Sequence, residues 1–260
     1  MRKSRIRSKL SAGQPALITT LHFIDPAVYE MTSLMGFDGI WMDLEHHGTS
    51  LETASNLMRA SRVGMSDIIA RPAKGEFQRM QRMLEVGAAG LMYPQCDSAS
   101  EAQELVHWTK FPPVGRRGCD AANADSEYMA HPLDEYLQNA NQDTLLVVQI
   151  ENPEALEQVE DIAQVSGVDV LFLGPGDLSI RMGIAGELQH PRMLEAKQRV
   201  AAAARSANIH WGLPVASPEE AATAIELGAR FICHNADIIL LRAGLTQIKQ
   251  SFGPLGFDFE

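Results

Sequence analysis

The feature of this sequence that most restricts its fold is a regular alternation of short apolar runs with longer helix-like patterns. Eight runs have the length of buried strands: Ala16–Leu21, Gly39–Met42, Ile68–Ala70, Gly90–Tyr93, Leu145–Ile150, Val168–Leu173, His210–Leu213 and Arg230–Cys233. A helical spacing of apolar residues follows each one: Ala27–Met35, Leu51–Arg62, Glu76–Glu85, Ser98–Trp108, Pro153–Val165, Pro191–Ala207, Pro218–Leu227 and Ala236–Phe252. Eight strand–helix units in succession predict an α/β fold, a single TIM (β/α)8 barrel domain over residues 1–260.

An open, doubly wound sheet is the alternative for an alternating chain. Such a sheet usually carries a glycine-rich phosphate turn after its first strand. Leu21-His22-Phe23 is not a turn of that kind. The barrel is therefore the favoured prediction.

The two ends of the chain and one internal segment depart from the alternation. The basic N-terminus places Ile6 and Leu10 four residues apart, which predicts a short amphipathic helix rather than a signal peptide. Pro112–Ala130 has no clear periodicity and predicts a long functional loop, or a loop that contains a short helix. No apolar stretch approaches the roughly 20 residues of a membrane span.

Charge and cysteine content narrow the class of partner. The formal net charge is −11, whereas nucleic-acid-binding proteins usually present a basic surface. Cys96, Cys119 and Cys233 form neither a zinc pattern nor a paired disulfide framework, which favours a reducing, cytoplasmic compartment.

Polar side chains follow several of the predicted strands directly. The active site of a (β/α)8 barrel lies at the carboxyl ends of its strands. We therefore expect one rim to collect the side chains of Asp43–His47, Arg71-Pro72, Pro94-Gln95, Gln149, Glu151 and Gly174–Ser179.

Glu151 and Asp177 are the predicted metal ligands. They follow adjacent strands, and two carboxylates with positions left for water and substrate suit Mg²⁺, Mn²⁺ or a similar divalent ion. The structural alternative is that Glu151 caps the helix at Asn152-Pro153 and that Asp177 caps the following turn.

His46 is the predicted general base, because a neutral imidazole titrates near physiological pH. Asp43 is positioned to orient His46 through a carboxylate–imidazole hydrogen bond. Alternatively, His46 bonds to a backbone carbonyl at the rim. We expect His47 to be exposed or to support the site, and His22 to line the pocket or to pack.

Arg71 and a glycine-rich turn are the predicted anion-binding groups. A guanidinium at Arg71 suits a carboxylate or a developing oxyanion, although a structural salt bridge to a rim acid is the competing interpretation. Gly174, Pro175, Gly176 and Asp177 predict a nest of backbone N–H groups for a carboxylate, or otherwise an ordinary strand-to-helix turn.

None of the lysines ends an apolar strand, where a desolvated amine would form a Schiff base. Carbonyl chemistry in this barrel would therefore need a metal ion as the electron sink.

Six stretches together resemble the HpcH/HpaI family of class II, metal-dependent pyruvate aldolases. The resemblance covers nearly the whole chain, and its motifs are Gly36–His47, Arg71-Pro72, Met83–Pro94, Pro112–Gly118, Gln149–Asn152 and Leu173–Ser179.

The resemblance implies reversible cleavage of a 4-hydroxy-2-oxo acid into pyruvate and an aldehyde through a metal-stabilised enolate. By this resemblance, Glu151 and Asp177 bind Mg²⁺, Mn²⁺ or Co²⁺, and no organic cofactor is needed. Arg71 would stabilise the enolate oxygen, and His46 with Asp43 would transfer the proton. The carboxylate of pyruvate would lie on Gly174, Pro175, Gly176 and Asp177, with Gln149 nearby.

The resemblance also implies a homo-oligomer, a hexamer whose C-terminal helices are exchanged between subunits. Glu85 matches an acidic family position that reaches a neighbouring subunit's site. Leu44, His47-Gly48-Thr49 and Cys119-Asp120-Ala121 depart from the family pattern and leave the acceptor aldehyde open.

Two other functions remain open from the sequence. A related lyase acting on a malyl- or citramalyl-type CoA ester, or an oxaloacetate decarboxylase, would use the same metal and enolate. A CoA enzyme would want a basic patch, and only Arg116-Arg117 supplies a local basic pair in the long loop. The third possibility is a barrel that binds a keto acid without catalysis.

Overall fold

Eight parallel strands close into a barrel in the computed structural model, which describes residues 2–259. Each strand pairs with the next along the chain, and the last pairs with the first. The strands are β1 Ala16–Leu21, β2 Gly39–Asp43, β3 Asp67–Arg71, β4 Gly90–Tyr93, β5 Leu145–Ile150, β6 Val170–Leu173, β7 His210–Val215 and β8 Phe231–Ala236. The predicted (β/α)8 barrel is confirmed, and β1, β4 and β5 have the predicted bounds.

Helices surround the barrel and begin mostly at prolines or capping side chains. They are α1 Arg5–Ser11, α2 Pro26–Leu34, α3 Leu51–Ala60, α4 Phe77–Glu85, α5 Ala99–Thr109, α6 Leu133–Asp143, α7 Pro153–Glu157, α8 Val159–Ala163, α9 Pro175–Arg181, α10 Pro191–Ser206, α11 Pro218–Glu226 and α12 Asp237–Phe252. Proline favours the first helical turn because its missing N–H has no intrahelical partner there.

Three helical features differ from the sequence prediction. The predicted helix Pro153–Val165 is interrupted at Gln158, whose φ of −107° and ψ of 12° are not helical. Helices α6 and α9 were not predicted. α6 lies inside the long β4–β5 connection, and α9 begins at Pro175 within the predicted glycine-rich turn.

Helix α1 closes the amino-terminal end of the barrel. Ile6 and Leu10 are buried against the side chains that fill the barrel interior, which confirms the predicted amphipathic helix. Arg5 Nε and Lys9 Nζ each donate a hydrogen bond of 2.6 Å to the carboxylate of Asp38, which precedes β2. Since this end is closed, the opposite rim is the open face of the barrel.

The predicted loop Pro112–Ala130 contains no helix or strand in the described chain. Arg117 Nη2 donates to Asp125 Oδ2 at 2.8 Å, and the Arg117 guanidinium lies 4.5 Å from the centre of the Phe111 ring. Tyr136 on α6 also donates to Asp125. These buried contacts hold the loop together and attach it to Phe111 and α6.

Helix α12 has only Asp237 buried, although its sequence is strongly apolar. Within residues 2–259, no helix combines the length and apolar composition needed to cross a membrane.

Candidate active site

The carboxyl ends of the strands bring the predicted polar residues to one rim. Asp43 ends β2 and Arg71 ends β3, and the two residues are direct partners in the strand ladder. Gln149 lies in β5, and Glu151 follows that strand directly. Because the strands are parallel, residues far apart in sequence share this rim, as predicted.

A bidentate ion pair joins Arg71 to Asp43. Arg71 Nε donates to Asp43 Oδ1 at 2.9 Å, and Nη2 donates to Oδ2 at 2.7 Å. Glu45 Oε2 lies 3.2 Å from Arg71 Nε, and the guanidinium lies 4.6 Å from the centre of the Trp41 ring. These contacts set the orientation of the guanidinium plane. The rim salt bridge considered from the sequence is therefore present.

Arg71 also keeps Asp43 ionised. Burial of Asp43 would raise its pKa, but the hydrogen bonds and charge of Arg71 outweigh burial, so the pKa is lowered. Backbone N–H groups of Glu45 and His46 also point to Asp43 Oδ1, at 3.0 and 3.5 Å.

The expected hydrogen bond between Asp43 and the His46 imidazole does not occur in the described structure, and that expectation was wrong. Asp43 instead accepts the guanidinium and backbone donors, because the chain turns tightly after β2. The His46 side chain is 61% exposed, and its Nε2 lies 3.4 Å from Glu45 Oε2. His46 therefore stands at the solvent side of the rim, beside Glu45.

Glu151 is a buried carboxylate held by neutral donors. Its Oε1 accepts from Gln95 N at 2.7 Å, and its Oε2 accepts from Gln149 Nε2 at 3.1 Å. Burial, together with the nearby charge of Asp177, raises the pKa of Glu151 to about 7 despite the hydrogen bond from Gln95. The side chain that caps α7 is Asn152, so Glu151 is not the cap.

Gly174 makes room for this carboxylate. A Cβ atom at position 174 would lie 2.5 Å from Glu151 Oε2. The side chain of Gln149 is also buried, and its Oε1 has no hydrogen-bond partner among the described residues. A glycine and an unpaired amide oxygen therefore lie next to Glu151.

Asp177 occupies the first turn of α9 with an exposed side chain. No side-chain hydrogen bond caps α9 in the described structure, so the capping alternative for Asp177 is not observed. The backbone N–H groups of Gly176 and Asp177 belong to the first helical turn, where such groups lack intrahelical acceptors. A Cβ atom at Gly176 would contact nothing within 4 Å, so the space beside this glycine is open.

The donor set of Glu151 and Asp177 fits a hard divalent cation. Oxygen ligands suit Mg²⁺ and Mn²⁺. A buried carboxylate whose pKa is raised by burial and by a second carboxylate also gains most from a nearby positive charge. The unpaired amide oxygen of Gln149 adds a further acceptor at this point.

Three residues at the rim were not given a definite role by sequence reasoning. Gln95, with a positive φ of 49°, donates Nε2 to Glu45 and accepts from Arg181 Nη2, so it joins Glu45, Glu151 and Arg181. His22 stacks on His47 with ring centres 4.2 Å apart. In the sequence, the position of Gln95 and His22 within two residues of a strand end was the feature that could have indicated a role at the rim.

Glu85 is distant from this rim within its own chain. It is the last residue of α4, which runs back from the rim toward the amino-terminal end of β4. Gln81 Nε2 contacts both Glu85 Oε1 and Gly118 O, so Glu85 lies beside the long loop. A catalytic role for Glu85 therefore requires the rim of another subunit and stays a prediction.

Comparisons with known proteins agree on one family. Residues 21–242 match the family model for HpcH/HpaI aldolase/citrate lyase. A relative from Shigella sonnei, 4-hydroxy-2-oxo-heptane-1,7-dioate aldolase, is 32% identical over 251 residues, covering 96% of this chain and 95% of the relative.

Two solved structures show the same architecture. The HpcH/HpaI aldolase from Desulfitobacterium hafniense DCB-2 superimposes with a TM-score of 0.88 and 28% identity, over 94% of this chain and 96% of that one. An aldolase/citrate lyase family protein from Burkholderia cenocepacia J2315 gives 0.87 and 28%, over 95% and 99%.

Proposed function

This chain belongs to the HpcH/HpaI aldolase/citrate lyase family, and from that membership we propose that it is a metal-dependent pyruvate aldolase. It cleaves a 4-hydroxy-2-oxo acid reversibly into pyruvate, or a related 2-oxo acid, and an aldehyde. The observation that carries the proposal is the buried carboxylate of Glu151, which shares one rim with Asp177 and with the oriented guanidinium of Arg71.

Glu151 and Asp177 would hold Mg²⁺, Mn²⁺ or Co²⁺. When bound, the ion supplies positive charge next to the substrate oxygen that becomes negative during cleavage. The raised pKa of Glu151 supports this assignment, since a cation restores the ionised form of a buried carboxylate.

The glycine-rich turn binds the carboxylate of the 2-oxo acid. Backbone N–H groups of Gly176 and Asp177 donate to it, and Gly174 and Pro175 keep the approach free of longer side chains. Gln149 lies beside Glu151 with an unpaired amide oxygen, which suits a hydrogen bond from a substrate hydroxyl rather than a contact with the carboxylate.

Arg71 and His46 are the proposed catalytic residues for cleavage of the carbon–carbon bond. Loss of the substrate's hydroxyl proton leaves electrons that form the aldehyde carbonyl, and the broken bond's electrons move onto the keto oxygen as an enolate. Arg71 donates N–H groups to that oxygen, and Asp43 holds the guanidinium in orientation. His46 accepts the hydroxyl proton through water, which its exposure supports. Return of that proton to the methylene carbon of the enolate forms the methyl group of pyruvate and restores neutral His46.

A homo-oligomer, specifically a hexamer with exchanged C-terminal helices, is part of the proposal. Exposed Leu241, Leu245 and Ile248 on α12 support contact with a second copy. Glu85 would then approach the rim of a neighbouring subunit. A cytoplasmic location is also proposed, supported by three free cysteines.

The experiment is removal and return of the metal ion. Dialysis against a chelator should lower pyruvate release from a 4-hydroxy-2-oxo acid by at least about 100-fold. Addition of Mg²⁺, Mn²⁺ or Co²⁺ should restore it. The same preparation assayed with a malyl- or citramalyl-type CoA ester and with oxaloacetate separates the proposal from related lyases. Full activity after exhaustive chelation would contradict the proposal.

A further inference from the structure

His22, Asp43 and His47 form a compact cluster beside the proposed active site. Each offers one ligand atom, and these atoms lie within 4.8 Å of one another. The residues come from two neighbouring units, since His22 follows β1 while Asp43 ends β2 and His47 lies in the next loop. We propose that this cluster is a second divalent-cation site, which binds Zn²⁺ or a similar transition-metal ion in preference to Mg²⁺.

The carboxylate of Asp43 has an oxygen available for such an ion. Oδ1 receives Arg71 Nε and the backbone N–H groups of Glu45 and His46. Oδ2 receives one hydrogen bond among the described residues, from Arg71 Nη2. Because a carboxylate oxygen has two lone pairs, Oδ2 keeps one for a cation.

The separation of the ligand atoms fits a bridging ion better than a direct hydrogen bond. His47 Nε2 lies 3.8 Å from Asp43 Oδ2, which is too long for a hydrogen bond. Two ligand atoms bound to Zn²⁺ at about 2.0 Å each lie roughly 3.3 Å apart at a tetrahedral angle. A shift of about half an ångström brings this pair to that separation. The rings of His22 and His47 are stacked with centres 4.2 Å apart, so one ring must also turn for both nitrogens to face the same ion.

The charges around the cluster favour a cation. Asp43 belongs to it, and Asp237 Oδ1 lies 3.8 Å from His22 Nδ1. Arg71 supplies the opposing positive charge. Asp237 accepts hydrogen bonds from the backbone N–H groups of His22 and Phe23, which fixes the backbone that carries the His22 ring.

The two candidate sites differ in ligand chemistry. Imidazole nitrogen suits Zn²⁺, Cu²⁺ and Ni²⁺, whereas oxygen ligands such as Glu151 and Asp177 suit Mg²⁺. An ion on Asp43 Oδ2 would also compete with Arg71 for that carboxylate. We therefore expect Zn²⁺ at the cluster to inhibit the Mg²⁺-loaded enzyme, a consequence that rests on the proposed function.

Calorimetric titration of the full chain with Zn²⁺, at saturating Mg²⁺, tests the site directly. Wild-type protein should bind one Zn²⁺ per chain at this site, and His47→Ala and His22→Ala should each weaken binding by at least about tenfold. His47 is partly exposed, so its replacement leaves the fold intact. His107→Ala, on the outer helix α5, is the matched control and should bind as wild type does.

Unchanged Zn²⁺ affinity in both variants would overturn the site. Complete displacement of Zn²⁺ by Mg²⁺ would also overturn the proposal, because it would mean that both ions bind at Glu151 and Asp177.

An activity measurement tests the inhibitory consequence separately. Zn²⁺ should inhibit pyruvate release by the Mg²⁺-loaded wild-type enzyme, and His47→Ala should require at least about tenfold more Zn²⁺. Equal inhibition of both proteins would refute the inhibitory role. If no aldolase activity is found, the proposed function fails, and the calorimetric titration still decides whether the site exists.

Discussion

Arg71 is the residue whose surroundings explain most about the rim. Two of its five N–H donors are bound to Asp43, and the Trp41 ring covers one face of the guanidinium. Asp43 in turn accepts the backbone N–H of Glu45, so the ion pair and the turn after β2 support each other. The arrangement requires a planar, forked cation, which lysine does not provide.

We therefore predict that Arg71→Lys lowers kcat for cleavage by on the order of 100-fold, as loss of an oriented oxyanion donor does in other enzymes. KM should change less, because the substrate carboxylate binds elsewhere. Steady-state kinetics of pyruvate release measure both values. Arg199→Lys, which alters an exposed ion pair with Glu160 on the outer helices, is the matched control. If Arg71→Lys and Arg199→Lys had equal kcat, the planar guanidinium of Arg71 would not be needed for cleavage.

Among the elements, α1 depends most on tertiary contacts. Seven residues are too few for a stable isolated helix in water. Ser4 caps the helix by accepting from Arg7 N, and Ile6 and Leu10 are buried in the barrel. Asp38 accepts from Arg5, Lys9 and the backbone of Leu17, and so joins α1 to β1 and β2.

These contacts make part of the stability dependent on pH. Burial of Asp38 would raise its pKa, but hydrogen bonds from Lys9, Leu17 and Arg5 outweigh burial, so the pKa falls below its ordinary value of 3.8. A lowered folded-state pKa contributes stability that is complete above the ordinary value. That contribution is lost as the pH falls through the folded-state pKa.

We expect Asp38→Asn to lower the free energy of unfolding by about 2 kcal/mol at neutral pH. The difference from wild type should shrink at acidic pH below the ordinary value of 3.8. Urea unfolding at several pH values measures this difference. Glu195→Gln, an exposed change on α10, is the control and should leave stability unchanged at neutral pH. If the free energies of unfolding of wild type and Asp38→Asn differed by the same amount at every pH, down to the most acidic condition, the assigned role of Asp38 would be contradicted.

At the scale of the whole molecule, exposed apolar side chains are concentrated on α12 and at the end of α2. Leu241, Leu245, Ile248 and Phe252 on α12 are about half exposed and share one face of the helix, at spacings of four, seven and eleven residues. Met31, Leu34 and Met35 at the end of α2 are also exposed. An exposed apolar helix face such as that of α12 marks an interaction site in many proteins.

If a second copy covers this face, Leu245→Glu should reduce the mass of the particle in analytical ultracentrifugation toward that of one chain. The isolated chain should tolerate the change, because Leu245 is 57% exposed there. Gln247→Glu adds the same charge on the opposite side of α12 and should leave the assembly intact. An unaltered sedimentation pattern for Leu245→Glu would argue against contact through this face.

The strands and most of the helices could be predicted because the sequence patterns that produce them are local. Apolar runs of strand length followed by helical spacing predicted the barrel, and parallel strands placed Asp43, Arg71, Gln149 and Glu151 at one rim. The break at Gln158 and the helices α6 and α9 were missed. The segment that becomes α6 was assigned to no element from the sequence. The strand-to-helix turn at Gly174 was only the alternative to an anion-binding nest, although Pro175 is a usual first residue of a helix.

Which side chains contact each other at the rim depends on the closed barrel, and the sequence did not reveal it. Asp43 was expected to bind His46, three residues away, but ladder pairing of β2 with β3 brings Arg71 to it instead. The closure of β8 onto β1 likewise brings Asp237 to His22, 215 residues apart in sequence. Local periodicity determines which face of an element is buried. Contacts between distant side chains depend on how the strands are ordered and registered around the barrel.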